Sequence, residues 1–228
     1  MFLRFAVAPL VLVGFPAMKA APIEALLKTS VGEIRFELYP EKAPKTVANF
    51  LKYVDGGHFE GGSFYRVVRI DNQERNTVKI EVIQGGLLES ETSIKYDPIA
   101  LERTNVTGLR HRDGTLSMAR SDPDSATSEF FICINDQPSL DFGGRRNPDG
   151  QGFAAFGRVI EGMDIVRKIQ RTKTIPPDPD KLEYTSGQHL EKSVRFLSFR
   201  RNEPVPCLRG FRPLKLVRLP LLVAGKSS

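Results

Sequence analysis

Tryptophan is absent from this chain, and its 228 residues include two cysteines and three histidines. Each shortage removes a class of chemistry. Cys133 lies in the apolar run Phe130-Phe131-Ile132-Cys133-Ile134 and reads as a small core residue, while Cys207 sits near the C-terminus, so no structural disulfide is expected. His58, His111 and His189 are far apart and have no cysteine or carboxylate at ligand spacing, so each reads as surface or structural and no metal site is expected. No apolar run approaches the ~20 residues needed to span a bilayer. The pattern Gly150-x-Gly152-x-x-Ala155 precedes a strand-like run instead of opening a helix, and therefore does not read as a dinucleotide-binding loop.

What charge there is sits unevenly. The net charge is +6, but residues 204–228 carry Arg209, Arg212, Lys215, Arg218 and Lys226 with no acid, and residues 1–20 carry Arg4 and Lys19. With both ends set aside, residues 21–203 are left at about −1, so the body of the protein is not a basic nucleic-acid reader. The N-terminal run 5–13, preceded by Arg4 and followed by small residues at Ala17, Ala20 and Ala21, has the form of a secretory signal peptide over residues 1–21. An uncleaved anchor is the rival reading. The tail, 204–228, combines four prolines with basic and aliphatic residues. It reads as a segment without regular order, with adhesion to an anionic membrane surface as the alternative.

Between those ends the pattern is mostly β. Residues 23–29 and 32–38, joined by Ser30-Val31, read as a hairpin whose second strand alternates Ile34, Phe36 and Leu38. From Pro44 the period changes: Val47, Phe50, Leu51 and Val54 recur at helical spacing until Gly56-Gly57 stops the run. Further strands are expected over 63–68, 77–84, 114–120, 129–135, 153–159 and 192–199, with a second helix over 163–170. Seven or eight strands with two helices predict a mainly β fold, a closed antiparallel barrel capped at its ends by the helices.

Arg66 stands out on the strand 63–68, where alternation places it on the face of Phe64 and Val68. On local sequence alone a strand-end arginine is usually solvated, and Gln84 before Gly85-Gly86 reads as an ordinary strand-end amide. The ordered blocks Phe64-Tyr65-Arg66, Ile83-Gln84-Gly85-Gly86, Leu116-Ser117-Met118-Ala119, Ser128-Glu129-Phe130-Phe131-Ile132 and Ala155-Phe156-Gly157 change that reading. Together they resemble the cyclophilins, the β-barrel peptidyl-prolyl cis/trans isomerases, over about residues 32–199.

The resemblance implies an eight-stranded barrel within a domain spanning 22–203 and an isomerase that needs no cofactor. It implies catalytic roles for Arg66 and Gln84, and a proline pocket floored by Phe131 with Val82, Leu140 and Phe153 around it. The stretch Ala119-Arg120-Ser121 would pair its backbone with the residue before the substrate proline, and Glu129 would lie beside it. The partners expected are proline-containing unfolded or flexible polypeptides, met by a monomer in the periplasm or outside the cell.

Several residues depart from the family pattern. Arg120 replaces a usual asparagine, which adds positive charge at the groove. Ser121 and Glu129 replace alanine and glutamine, and Glu129 is placed to pair with Arg120 or Arg66. Glu81-Val82 stands where an aromatic pair is common, Ser139 fills a frequent tryptophan position, and Asp71-Asn72-Gln73-Glu74-Arg75-Asn76 reads as an inserted polar loop. The changed wall implies weak binding of cyclosporin-type macrocycles. It also leaves open an alternative function, a module that binds X-Pro segments with little or no catalysis.

Overall fold

A computed structural model describes residues 22–88, 96–178, 180 and 183–202. Residues 1–21, read above as a signal peptide, and the basic tail 204–228 lie outside the described residues, as does Cys207. The eight strands are β1 (Ile23–Thr29), β2 (Gly32–Leu38), β3 (Ser63–Val68), β4 (Val82–Gly86), β5 (Thr115–Met118), β6 (Phe130–Cys133), β7 (Ala154–Glu161) and β8 (His189–Arg201). They close a barrel in the order β1-β2-β7-β5-β6-β4-β3-β8, with every neighbouring pair antiparallel. Closure leaves no unpaired sheet edge.

The barrel is filled, not hollow. Phe36, Phe50, Phe59, Phe64, Phe130, Phe156 and Phe199 are all buried, and Phe50 of α1 (Pro44–Asp55) meets Phe59, Phe130, Phe156 and Phe199 at centroid distances of 5.0 to 5.4 Å. Such tilted and edge-on contacts are the arrangements aromatic rings favour. α1 has no side-chain cap of its own. Instead the distant Glu102 carboxylate accepts from the Lys45 and Thr46 backbone N–H groups and from the Thr46 hydroxyl, where the helix dipole also favours an anion.

α3 (Met163–Gln170) forms as the sequence predicts, and a third helix of four residues, α2 (Thr104–Thr107), accompanies the two expected. The short run contains too few residues to show a periodic face. The strand expected over 77–84 begins at Val82, because the residues before it are held as a loop from outside the sheet. Gln73 is 1% exposed, donates to the Arg69 and Ile80 carbonyls and accepts from the Ile80 N–H, while Arg146 Nη1 donates to the Val78 carbonyl. The inserted segment is thus docked against the barrel.

Period-two alternation sorts β4 to β6 into two faces, and β3 does the same across a bulge. Phe64, Val67, Ile83, Leu116, Phe130 and Ile132 point into the barrel core. Val68, Val82, Phe131 and Cys133 belong to a separate outer cluster with Ile80 and Leu140, against which Ala119 and Phe153 pack.

Candidate active site

The outer cluster opens into a cavity of about 510 Å³ lined by Arg66, Val82, Gln84, Ala119, Arg120, Ser121, Glu129, Phe131, Leu140 and Phe153, the full set anticipated from the sequence. Strand register explains how distant residues meet. Arg66 pairs with Gln84, Gln84 with Phe131, and Phe131 with Ser117, so one row crosses β3, β4, β6 and β5. That row runs from a cation through an amide to an apolar floor.

A β-bulge at Tyr65 corrects the expected facing of β3. The register of β3 shifts between Phe64 and Arg66 against both β4 and β8. The extra residue lets Tyr65 and Arg66 both face the cavity while Phe64 and Val67 face the core, so Arg66 does not share a face with Phe64. Tyr65, absent from the anticipated set, then joins a hydrogen-bond chain. Its hydroxyl donates to Glu129 Oε2 at 2.6 Å and accepts from Gln84 Nε2 at 2.8 Å, and Gln84 Oε1 accepts from Arg66 Nη1 at 2.7 Å. Burial, reinforced by the Glu129 charge, pushes the Tyr65 hydroxyl far above its ordinary pKa, so it remains a donor.

Glu129 does not pair with Arg120 or Arg66. Besides Tyr65 it accepts from the Leu87 N–H at 2.7 Å and the Ser128 hydroxyl at 3.3 Å. It packs so closely over Gly86, at φ +154°, that a Cβ there would stand 2.4 Å from the carboxylate, which accounts for the glycine. Arg120 likewise adds no free charge to the groove. Its side chain is 1% exposed, pairs bidentately with Asp149 at 2.7 and 3.0 Å, donates twice to the Gly152 carbonyl, and lies 5.1 Å from the Phe153 ring centroid. Arg120 braces the pocket wall. Glu81 faces away from the cavity and accepts from Asn135 and Gln170.

Arg66 is held from two sides. Gln188 Oε1 accepts from its Nε at 2.9 Å and its Nη2 at 2.6 Å, opposite the Gln84 contact. Among the described residues both holders are neutral amides, with no carboxylate among its bonds, so the guanidinium is oriented without being neutralised. Burial, with the nearby Arg146 charge, pulls its pKa below the ordinary value, yet arginine stays charged throughout the working pH range. The Tyr184 ring stands 5.9 Å from the Arg66 guanidinium and 5.6 Å from that of Arg146.

Phe131 meets Phe153 edge-on at 5.4 Å, and on another side the buried His111 ring stacks on it at 6.0 Å. His111 Nδ1 lies 2.8 Å from Asp141 Oδ1 and Nε2 lies 2.9 Å from Ser117 Oγ. An ionised carboxylate only accepts, so Nδ1 carries the proton and Ser117 donates to Nε2. This Ser-His-Asp constellation is not a nucleophilic triad, because Ser117 is 0% exposed and no acyl group can reach it. It underpins Phe131. Among the described residues no group of three or more His, Cys, Asp or Glu side chains could hold a metal ion.

The profile of the cyclophilin type peptidyl-prolyl cis-trans isomerase family matches residues 25–185. The chain belongs to the cyclophilin family. It is 40% identical over 149 residues to peptidyl-prolyl cis-trans isomerase cyp18 of Streptomyces antibioticus, covering 65% of this chain and 83% of that protein. Against peptidyl-prolyl cis-trans isomerase B of Escherichia coli the identity is 38%, covering 64% of this chain and 83% of the relative. A crystal structure of a cyclophilin type isomerase from Cryptosporidium parvum superposes with a TM-score of 0.59 at 19% identity, covering 80% of this chain and 99% of that one. A second crystal structure of that protein was determined in the presence of the dipeptide Ala-Pro. This cyclophilin is a peptidyl-prolyl cis/trans isomerase. Among the site residues that sequence reasoning missed are Gln188 and Tyr65, which bond to Arg66 and Gln84, and Arg146 and Tyr184 of the cavity lining. Tyr65 adjoins the recognised arginine, whereas Gln188 carries no local signal.

Proposed function

We propose that Arg66 stabilises the twisted amide during isomerisation of X-Pro bonds in flexible polypeptides, with Phe131, Val82, Leu140 and Phe153 receiving the proline ring. The uncatalysed rotation faces a barrier of ~18–20 kcal/mol because the planar amide has partial double-bond character. A catalyst must therefore favour the twisted form over both planar ones. Twisting returns a lone pair to the proline nitrogen, and a fixed cationic donor beside it binds that state alone.

The observation that carries the reading is the hold on Arg66: two neutral amides fix its direction and leave its charge uncompensated beside the apolar floor that Val82, Phe131 and Leu140 give the cavity. The Ala119 N–H is already engaged by the Glu129 carbonyl and the Ser121 N–H by the Ser125 hydroxyl, so a backbone contact to substrate falls to the Arg120 peptide between them.

Exchange NMR of a short proline peptide tests this with wild-type protein and Arg66→Ala side by side. Loss of roughly 10²–10³ in kcat with peptide binding retained is expected, the size found when one preorganised donor is removed. Unchanged exchange in Arg66→Ala would overturn the role of Arg66; binding without exchange in the wild type would favour the proline-recognition module. The N-terminal pattern supports a further reading, export of the chain to the periplasm or beyond. Fractionation of the cells and the mass of the mature chain test it, and a full-length cytoplasmic protein would refute it.

A further inference from the structure

We propose that Gln188 is a positioning residue for Arg66 and that the loop over 69–76, which carries the inserted residues 71–76, holds Gln188 in place. This rests on the reading of Arg66 as the catalytic donor. Gln188 is 1% exposed, and the environment of its amide is asymmetric. Oε1 accepts two N–H groups of the Arg66 guanidinium, at 2.9 and 2.6 Å, while Nε2 donates to the Asn72 carbonyl at 3.1 Å. Turning the amide over would set its N–H groups against the guanidinium and its oxygen against a carbonyl, so one orientation is fixed.

Its backbone is fixed too. The Gln188 carbonyl accepts from the Val67 N–H at 2.9 Å, one residue beyond Arg66, and the Gln188 N–H donates to Thr185 at 3.0 Å. Asn72 completes a reciprocal clamp, its Nδ2 donating to the Val67 carbonyl at 3.1 Å and to the Gly187 carbonyl at 3.2 Å. The loop is in turn tied down by buried Gln73 and by Arg69, whose Nη1 donates to the Gln170 and Thr172 carbonyls. A continuous set of bonds therefore runs from the end of α3 through the loop to the guanidinium.

Two anchors do what one cannot. Gln84 alone fixes one Nη of Arg66 and leaves rotation about that bond, whereas Gln188 engages Nε and the other Nη and so sets the plane of the fork. Preorganised donors act because they need not reorient as the amide twists. The chain thus uses a segment remote from the cavity floor to set the direction of its cation.

Exchange NMR on the full chain, in a double-mutant cycle of Gln188→Ala and Arg66→Ala, tests the assignment. Gln188→Ala is expected to lower kcat roughly ten-fold with KM within about two-fold, less than the ~10² that a 1 Å misplacement can cost. It should also remove the exchange protection of the Arg66 side-chain Nε–H signal. In the Arg66→Ala background Gln188→Ala should change nothing, since there is no guanidinium left to aim. An equal loss in both backgrounds would make Gln188 a purely structural residue and overturn the proposal, as would a wild-type kcat in Gln188→Ala. Should Gln188→Ala not fold, Gln188→Asn, which withdraws the amide by one methylene, carries the same test. Wild-type kcat in Arg66→Ala would instead sink the reading of Arg66 itself. Loss there without loss in Gln188→Ala sinks only the positioning role.

Discussion

The Tyr65 hydroxyl and the Glu129 carboxylate meet at 2.6 Å, and through that contact a strand bulge on β3 governs the amide of Gln84 on β4. Because an ionised carboxylate only accepts, the Tyr65 proton points to Glu129, and the phenolic oxygen presents lone pairs to Gln84, which donates. The carboxylate thereby sets the orientation of an amide it does not touch, and that amide orients Arg66.

Tyr65→Phe keeps the buried ring and removes the relay. Gln84 Nε2 and Glu129 Oε2 each lose a partner in a partly buried site, a cost of about 1–3 kcal/mol. Urea unfolding should show that loss, and exchange NMR should show a several-fold lower kcat as Gln84 gains the freedom to turn over. Wild-type kcat at reduced stability would mean that the relay stabilises the protein without aligning Arg66.

Phe131→Ala should damage both stability and binding. The ring is 5% exposed and lies between His111 and Phe153, so truncation removes a packed aromatic and leaves a cavity, worth about 3–5 kcal/mol. Peptide titration is expected to show KM raised at least about ten-fold, because an apolar pocket that has lost its floor no longer excludes water from the proline ring. A normal KM would move the proline site away from Phe131.

Much of this arrangement is legible in the sequence wherever the signal is local. The Ile34-Phe36-Leu38 alternation, the Val47-Phe50-Leu51-Val54 stripe and the helix at 163–170 specify their own elements. The cavity positions of Gln84 and Phe131 come instead from the resemblance to cyclophilins, since local pattern alone offers a strand-end amide and a core phenylalanine. Alternation fails on β3, because a bulge at Tyr65 adds a residue and strict period two has no place for one. It fails again at 77–81, where Val78 and Ile80 alternate as a strand would but bond to Arg146 and Gln73. Charges mislead in a different way. Arg120 reads in sequence as charge added to the groove and Glu129 as a partner for Arg120 or Arg66, yet Asp149 and Tyr65, brought up by folding, engage them instead. Gln188, 122 positions from Arg66, offers no local pattern to find.

Asp149→Ala should loosen the pocket wall. Arg120 is almost fully buried, so losing its bidentate partner leaves a guanidinium held by the Gly152 carbonyl and a long contact to the Ser121 carbonyl, with no counterion among its bonds. A buried charge deprived of its counterion destabilises, and with Asp149 at the rim a cost of about 1–3 kcal/mol is expected. Thermal and urea unfolding measure it. Peptide KM should rise as well, because the Arg120 guanidinium that loses its anchor is the group lying over Phe153. A KM equal to wild type would show that Phe153 holds its place without Arg120.

His111 gives the protein a pH-dependent stability whose sign follows from burial. Burial pulls its pKa below the ordinary 6.5 and outweighs the opposing pull of Asp141, so the folded imidazole is neutral. Burial alone would raise the Asp141 carboxyl, but the bonds from His111 and the charge of Arg110 outweigh it and hold the group below 3.8. Asp141 therefore stays ionised near neutral pH and does not titrate in the same window. The unfolded chain binds a proton at His111 that the folded chain refuses, so the contribution is complete above the unfolded value and is lost as pH falls from about 6.5 toward the folded one. Urea midpoints should be level above pH 7 and decline below about 6.5, by at most ~1.4 kcal/mol per pH unit for one proton. His111→Asn should be less stable at pH 8, where Asp141 and Ser117 lose their fitted partner, and should lack the decline, so that the two curves converge toward pH 5. The same decline in His111→Asn would assign the proton to another group, and a wild-type midpoint unchanged from pH 7 to pH 5 would show that His111 accepts its proton without unfolding cost.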